Sequence, residues 1–406
     1  MGISLFAVSI LLRAFAGHRM ATAPLRILGR LIAGALALSL LPLTLFELLL
    51  RRWAGKPLWS LKRRQPIFAK HQHDGQGSWV LPSQVAASRD ASFSAIHWRE
   101  MVEGLDCIVE ERWRQDAGGP ELYRLGGRYQ GSEFSFSGGE RSTAGWPSPY
   151  EAEIFCLGGS TTFCMEVPDG RTWPSVLQKR ILESNSRRFR VRNQGIPGTP
   201  GLERIQTFLT ATHLNRSDIA VFLFGDNDSG WKMYGAREGK VHSHLPYALR
   251  ELLRAAEVSE IAGWLYGELA PRFLRRLAIE MAETTIAAAE RAASFAESRG
   301  VRALFVLQPN IFTLAHPDGW DRRVIAATAR DLPVLIEAAY ERYREWTVGC
   351  NFAVDGTSLF DSESPSPYMG DWAHVNTRGN QLLGEFVFRE LESRSWLSTP
   401  TRLNSQ

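Results

Sequence analysis

Residues Glu153–Phe163 read EIFCLGGSTTF. A short apolar run ends in Gly158 and Gly159 and is followed at once by Ser160. Apolar runs without alternation are typical of strands that are buried on both faces, as in parallel sheets. Glycine permits the backbone angles of a tight turn. We therefore predict a buried strand whose closing turn carries Ser160 at the edge of the sheet.

The same alternation of strand and helix continues to the end of the chain. Further strands are predicted at 189–193, 219–224, 301–307 and 351–354, and helices at 173–185, 202–214, 273–299, 321–346 and 377–392. This order predicts an α/β fold, a three-layer α/β/α sandwich with a central parallel sheet, over residues 151–395. Residues 229–271 are interpreted as an insertion or lid, and 396–406 as a tail. In such sheets, functional residues collect in the loops after the strands.

The segment that precedes this domain has a different composition. Residues 51–150 are rich in Ser, Gly, Pro, Arg and Trp and show weak periodicity, with one predicted helix at about 95–111. Clusters of these residue types are typical of loops and linkers. We interpret this segment as a stalk and loosely structured lead-in, without a second independent domain.

A membrane helix is predicted at residues 31–50, which read LIAGALALSLLPLTLFELLL. Its length matches the roughly 20 residues that cross a bilayer, and Glu47 is its one charged member. Residues 1–30 form a basic segment before it. The flanking arginines lean slightly toward a cytoplasmic C-terminal side of this helix.

The net charge of +4 is unevenly distributed. Residues 1–64 hold ten Lys and Arg and one acidic residue, a net of +9, which leaves −5 for residues 65–406. The basic charge therefore suits anionic lipid headgroups beside the predicted helix. The acidic remainder gives no support to nucleic-acid binding.

Candidate functional side chains follow the predicted strands. Ser160 follows the first strand, Gly195 or Gly198 follows the second, and Asn227 follows the third. Near the end of the chain, Asp371 and His374 are three residues apart before the last helix. This spacing allows a carboxylate to orient an imidazole that accepts a proton from a serine. A glycine in a loop leaves its backbone N–H open to a developing oxyanion.

Each signal also has a plain structural explanation. Gly-Gly-Ser occurs in inert turns, and a histidine at the start of a helix is commonly a surface or capping residue. Asp226 and Asp228 flank Asn227, but two loop carboxylates without a third ligand make a poor metal site, and helix capping is the simpler use. We predict no metal and no organic cofactor.

The order of these residues resembles the four sequence blocks of the SGNH/GDSL hydrolase superfamily, over about Glu153–Leu391. The resemblance implies a flavodoxin-like sandwich in which Ser160 is the nucleophile and Asp371 and His374 complete the triad. It also implies an oxyanion hole made by Ser160, Gly198 and Asn227, with Gly195 left as an alternative to Gly198. Gly159 stands where the Gly-Asp-Ser motif has its aspartate, a variant similar to that of membrane-anchored bacterial members.

The resemblance implies a membrane-anchored serine esterase that acts on acyl groups, O-acetyl groups among them, of a glycan or lipid. It favours a catalytic domain outside the cytoplasm, against the lean of the flanking arginines, and we expect that arrangement. One alternative is an O-acyltransferase that modifies a polysaccharide with the same triad, and another is a non-catalytic envelope or polysaccharide-assembly scaffold. Cys156 and Cys164 are predicted to be buried thiols, and a Cys107–Cys350 bridge stays open. Four tryptophans could form surfaces on which sugars stack, but we interpret them in preference as core or interface residues: Trp146, Trp231, Trp264 and Trp372.

Overall fold

Apolar strands at the predicted positions form the centre of the molecule. The structure, a computed structural model, describes residues 71–73, 76–78, 83–114, 121–184, 188–199, 201–210, 214–229, 248–249, 252, 260–328 and 331–398. One compact unit comprises residues 66–234 and 275–406, and a second comprises residues 1–65 and 235–274. Every residue of the predicted site belongs to the first unit.

In the described part of the chain, eight strands form one sheet. Their bounds are β5 Arg128–Gln130, β6 Ser135–Ser137, β7 Glu140–Arg141, β8 Ala152–Gly158, β9 Phe189–Gly195, β10 Ile219–Phe224, β11 Arg302–Leu307 and β12 Ala353–Asp355. The order across the sheet is β12-β11-β10-β8-β9-β7-β6-β5. Strands β8 to β12 are parallel, and their order is the 2-1-3-4-5 arrangement of flavodoxin-like sheets. Two hairpins lie outside this sheet, β1 His71–His73 with β2 Gln76–Ser78 and β3 Val109–Arg114 with β4 Glu121–Gly126.

Helices cover both faces of the parallel strands. The α-helices in the described part of the chain are α1 Ser83–Arg89, α2 Ala95–Leu105, α3 Ser160–Phe163, α4 Trp173–Glu183, α5 Gly201–Leu209, α6 Glu260–Ser298, α7 Gly319–Ala327, α8 Asp331–Val348 and α9 Thr377–Ser393. Helices α4 and α9 contribute Trp173 and Val387 to a core with Ile154 and Val221 of the sheet. On the opposite face, Phe208 of α5 packs edge-on against Phe222 of β10. The predicted three-layer sandwich is confirmed, because each face of the sheet has its own apolar cover.

The prediction that the lead-in is loosely structured is wrong for residues 128–141. Strand β7 pairs antiparallel with β9, where Arg141 lies opposite Asn193, and β6 and β5 extend the sheet beyond it. Phe134 and Phe136 are buried in an apolar cluster with Met101 and Phe163. Strands of two or three residues are too short to show a period, so no hydrophobic pattern marks them in the sequence.

Three predicted helices have different bounds in the structure. The helix predicted at 202–214 is α5, which ends at Leu209. Helix α2 begins after Ser94, whose side chain caps the N–H of His97, but it ends at Leu105 and the chain enters β3 at Val109. The helix predicted at 321–346 is two helices, α7 and α8. Pro333 lies in the first turn of α8, where its missing N–H costs nothing, whereas inside one long helix it would break a hydrogen bond.

Part of the predicted insertion is helical. Helix α6 begins at Glu260, so residues 260–271 continue directly into the helix that we predicted from residue 273 onward. The predicted membrane helix at 31–50 lies outside the described residues. Among the helices that the structure describes, none is long and apolar enough to span a bilayer.

Candidate active site

The predicted site residues meet where the strand order of the sheet reverses. Strand β8 is followed by β9 on one side, and the chain then crosses to β10 on the other side. Ser160 follows β8, and Asn227 follows β10, so both lie at the carboxyl ends of adjacent parallel strands. This crevice is the usual ligand site of open α/β sheets.

Ser160 is the first residue of the short helix α3, and about nine-tenths of its surface is buried. A side chain at Gly158 would place its Cβ 2.2 Å from Thr162 Oγ1, so only glycine allows the strand to approach this turn. The next residue, Thr161, donates its hydroxyl hydrogen to Gln308 Oε1 at 2.8 Å. The nucleophile candidate is therefore held between the strand end and a buried polar contact.

Ser160, His374 and Asp371 form one hydrogen-bonded chain. His374 Nε2 lies 2.8 Å from Ser160 Oγ, and His374 Nδ1 lies 2.5 Å from Asp371 Oδ2. Oδ1 of the same aspartate accepts the backbone N–H groups of Ala373 and His374 at 2.9 and 2.8 Å. Such bonds fix the ring so that Nδ1 carries a proton and Nε2 faces the serine.

Charge and burial act in opposite directions on this pair. Burial lowers the pKa of His374, but the charges of Asp371 and Glu166 outweigh it and raise that pKa above its ordinary value. Burial raises the pKa of Asp371, yet the charge and hydrogen bonds of His374 outweigh it and lower that pKa. The aspartate is therefore ionised at neutral pH and stabilises a positive charge on the ring.

The lead-in holds the loop that carries Asp371 and His374. Arg89 at the end of α1 donates to the carbonyl oxygens of Ser366 and Tyr368 at 2.8 to 3.1 Å, just before the loop. Just after the loop, Asp90 accepts the N–H of Thr377 at 2.9 Å. Both ends of the loop are thus fixed by two consecutive residues that the sequence analysis did not single out, because the contacts join positions more than 270 residues apart.

Asn227 is positioned to serve as the side-chain donor of an oxyanion hole. Its Nδ2 donates one hydrogen to the Thr199 carbonyl oxygen at 3.1 Å, which leaves the second N–H of the amide for another acceptor. A Cβ built on Gly159 would lie 2.4 Å from this Nδ2 and 3.0 Å from Thr199 O. The amide of Asn227 thus occupies the space that a side chain before Ser160 would need, which is a physical reason for glycine at position 159.

Gly198 suits a backbone donor better than Gly195 does. Gly195 is the last residue of β9, and its N–H is accepted by Asn193 Oδ1 at 3.1 Å. Gly198 lies beyond the strand with a positive φ of 74°, a conformation that favours glycine, and within the described residues no acceptor bonds its N–H. These contacts favour Gly198 over Gly195 as the candidate backbone donor.

The aspartates beside Asn227 have structural contacts. Asp228 Oδ2 accepts the N–H groups of Gly201 and Gly225, each at 3.1 Å, and so links the start of α5 to the end of β10. Asp226 Oδ1 accepts from Asn310 Nδ2 at 2.8 Å, and burial together with the charge of Asp371 raises the pKa of Asp226 to about 7. The structure describes no group of three or more potential metal-ligating side chains.

A further carboxylate, Glu166, lies beside the histidine and was missed by the sequence analysis. Its Oε1 is 3.8 Å from His374 Nε2, and its side chain is 12 % exposed. No motif marks this residue, since it lies in an irregular turn six residues after the serine. Its contact with the ring arises only from the fold.

None of the cysteines and tryptophans is a member of the candidate triad or oxyanion hole. Cys156 and Cys164 are buried as predicted, and burial raises the pKa of the Cys164 thiol to about 12. Cys107 and Cys350 are free thiols, so the possible bridge between them is not formed. Trp372 is half-buried and Trp231 lies outside the described residues. Trp146 and Trp264 are 40 % and 64 % exposed, so they are not core residues, and their use as interface residues stays a prediction. Trp146 lies under the Arg190 guanidinium.

Replacing Gly159 with alanine is expected to lower kcat for an ester substrate by about 100-fold with the fold retained. The new Cβ displaces the Asn227 amide, and loss of one oxyanion donor typically costs a factor of about 100 to 1,000. The matched control is Gly170→Ala, because a Cβ there meets its nearest neighbour at an ordinary 3.9 Å. Steady-state kinetics and circular dichroism check both variants, and a kcat for Gly159→Ala within threefold of native contradicts this account.

Comparison with known proteins gives relatives by structure alone. No family model and no curated protein matches the chain. A member of the lipolytic protein G-D-S-L family from Veillonella parvula is 16 % identical, with 60 % of this chain and 97 % of that chain covered and a TM-score of 0.35. A putative lipolytic protein of the G-D-S-L family from Desulfitobacterium hafniense is 14 % identical, covering 59 % and 100 %, with a TM-score of 0.34.

A third similar structure is the inhibitor-bound form of an aryl esterase from M. smegmatis, at 14 % identity, 60 % and 99 % coverage and a TM-score of 0.34. Identity and TM-score are low in all three comparisons. In structure the chain is similar to lipolytic proteins of the G-D-S-L family and to an aryl esterase.

Proposed function

We propose that this protein is a serine esterase of the SGNH/GDSL type. The observation that carries the proposal is the chain of hydrogen bonds from Ser160 Oγ through His374 to Asp371. It stands at the carboxyl ends of the strands beside an amide donor, Asn227, that lies against the residue before the serine. A nucleophile, a base, a group that orients the base and an oxyanion donor are the parts that acyl transfer requires.

Acylation of the enzyme proceeds in two steps. Ser160 Oγ attacks the ester carbonyl as its proton passes to His374 Nε2, and the new oxyanion accepts hydrogen bonds from the N–H groups of Ser160 and Gly198 and the amide of Asn227. The tetrahedral intermediate then collapses. The bond from carbon to the leaving oxygen breaks, and that oxygen takes the proton from His374, which leaves an acyl group on Ser160.

Deacylation repeats these steps with a second nucleophile. In the esterase, water gives its proton to His374 Nε2 and attacks the acyl carbonyl, so that free acid leaves and Ser160 regains its hydrogen. If a sugar hydroxyl takes the place of water, the same residues perform O-acyl transfer. The two reactions differ only in the acceptor that reaches the acyl-enzyme.

The proposed substrate is an acyl ester of a glycan or lipid near a membrane. The support is the apolar run at residues 31–50 with basic residues on both sides, which suits a bilayer with anionic headgroups. We propose that this run anchors the protein by one helix and that the catalytic unit works outside the cytoplasm. A reporter fused after Gln406 tests the orientation, because an enzyme reporter that matures only after export is active in one arrangement and inactive in the other.

The fate of the acyl group tests the proposed activity. Purified protein is incubated with a panel of activated esters of two to ten carbons, with and without an oligosaccharide acceptor, and free acid and acylated sugar are quantified. The esterase releases free acid at the same rate with and without acceptor. Turnover that requires the acceptor identifies the transferase, and absence of turnover in both arms, with a native circular dichroism spectrum, supports the scaffold alternative.

A further inference from the structure

Glu166 and Ser160 face the same nitrogen of the candidate base. Ser160 Oγ lies 2.8 Å from His374 Nε2, and Glu166 Oε1 lies 3.8 Å from that atom. The turn Cys164–Val167 that follows α3 brings the carboxylate there, and its side chain is 12 % exposed. A neutral Nε2 accepts a hydrogen bond from the serine, whereas a protonated Nε2 donates one. The protonated ring therefore has a reason to prefer the carboxylate.

The surroundings leave His374 as the main cation beside Glu166. Glu166 borders a small cavity whose other walls include apolar residues such as Leu223 and Phe360 and the uncharged polar residues Thr161, Gln308 and Asn380. Burial raises the pKa of Glu166, and the charge of His374 opposes this effect. Among the described residues, Arg141 is the other cation that acts on Glu166.

Arg141 is already committed to other acceptors. Its guanidinium bonds to Asp169 Oδ1 at 2.9 Å and to the carbonyl oxygens of Phe163 and Val167 at 2.7 and 2.6 Å. The remaining titratable groups that act on Glu166 and His374 are Asp371, Asp226 and Cys164, which are acidic groups or a thiol. None of these can pair with the carboxylate as a cation.

We propose that Glu166 is a positioning residue that acts through His374: its carboxylate pairs with Nε2 while the ring is protonated and releases Nε2 to Ser160 as the ring loses its proton with rising pH. The proposal rests on the proposed function of Ser160 and His374. The same carboxylate also stabilises the imidazolium that forms as the serine attacks. Removal of its charge should therefore have two effects that a purely structural role does not combine: reaction begins at lower pH, and the maximal rate falls.

The raised pKa of His374 sets the direction in which the pH profile should move when the charge of Glu166 is removed. A carboxylate beside His374 favours the charged ring, so native protein should lose reactivity toward acid with a midpoint above the ordinary histidine value of about 6.5. Without that carboxylate the ring loses its proton more easily. The midpoint for Glu166→Gln should then lie about one pH unit or more below native, since charges about 4 Å apart interact strongly in a partly buried site.

The experiment measures the rate at which a fluorophosphonate probe inactivates the full-length protein between pH 4 and 10, in buffers of constant ionic strength. The variants are Glu166→Gln and, as the matched control, Glu297→Gln, which removes a carboxylate from the exposed end of α6. We expect a lower midpoint and a lower plateau for Glu166→Gln and a native profile for Glu297→Gln. A native midpoint for Glu166→Gln overturns the proposal, even if its plateau falls.

Near-ultraviolet circular dichroism shows whether Glu166→Gln folds, and a second variant is used if it does not. Glu166→Asp keeps the charge but withdraws it by one methylene, so its midpoint should lie measurably below native, and an unchanged midpoint overturns the proposal. The two proposals fail in different ways. If native protein is not labelled, or if Ser160→Ala is labelled equally, the proposed esterase function is wrong. If labelling requires Ser160 and the midpoint of Glu166→Gln equals that of native protein, only the proposed role of Glu166 is wrong.

Discussion

Replacing His374 with alanine is expected to lower kcat for an activated ester by about four orders of magnitude, with little change in thermal stability. His374 Nε2 is the atom that contacts Ser160 Oγ, at 2.8 Å, and without it no group takes the proton from the serine. Loss of one triad member typically leaves only the catalysis due to the oxyanion hole and substrate binding. The measurement is steady-state kinetics together with a thermal melt.

The control for this variant is His316→Ala, because His316 is an exposed histidine after β11 that does not belong to the candidate triad. Asp371→Asn adds a second test of the same chain of hydrogen bonds, since the amide cannot stabilise an imidazolium. It should lower kcat by a similar factor. A His374→Ala protein that keeps more than a tenth of native kcat is incompatible with the proposed base.

Replacing Arg141 with alanine is expected to lower the melting temperature by about 10 °C and to abolish activity through misfolding of the site. Arg141 is fully buried and donates to the carbonyl oxygens of Phe163, Cys164 and Val167 and to Asp169. Its removal takes away one donor from the largely buried Asp169 carboxylate and from each of three carbonyl groups, and breaking a buried ion pair costs about 3 to 5 kcal/mol. Differential scanning calorimetry measures the change.

Two further variants sharpen this test. Arg141→Lys keeps the charge but lacks the planar fork, so its melting temperature should lie between those of the native protein and the alanine variant. Arg180→Ala removes a half-exposed arginine that pairs with Glu183 at 3.2 Å, and such surface pairs contribute less than about 1 kcal/mol. If Arg141→Ala melts within 2 °C of native, residues 128–141 are not the integral part of the catalytic unit described above.

The parallel strands and the main site residues could be predicted from the sequence because each has a local signal. Strands β8 and β10 are buried at every position, so they read as unbroken apolar runs. Ser160 and Asn227 directly follow such runs, and the spacing of Asp371 and His374 is itself a motif. Parallel order then brings their loops to one edge of the sheet, whatever the residues between them.

The remaining features depend on contacts that leave no pattern along the chain. Arg141 lies in a strand of two residues, and Arg89 acts on carbonyl oxygens, which any residue provides. Glu166 has no motif, and its effect on His374 comes from the path of one turn. The exchange of aspartate for glycine at position 159 was visible in the sequence, but its reason, the approach of the Asn227 amide, requires the structure.

The most direct test of the account is the site at which a fluorophosphonate reacts. Native protein and Ser160→Ala are treated with the probe at a pH above the midpoint at which reactivity is lost toward acid. The intact masses and the modified peptides are then determined by mass spectrometry. The account predicts one adduct per native chain, located on Ser160, and none on the variant. A folded native protein without an adduct, or an adduct that persists in Ser160→Ala, contradicts the assignment of Ser160 as the nucleophile.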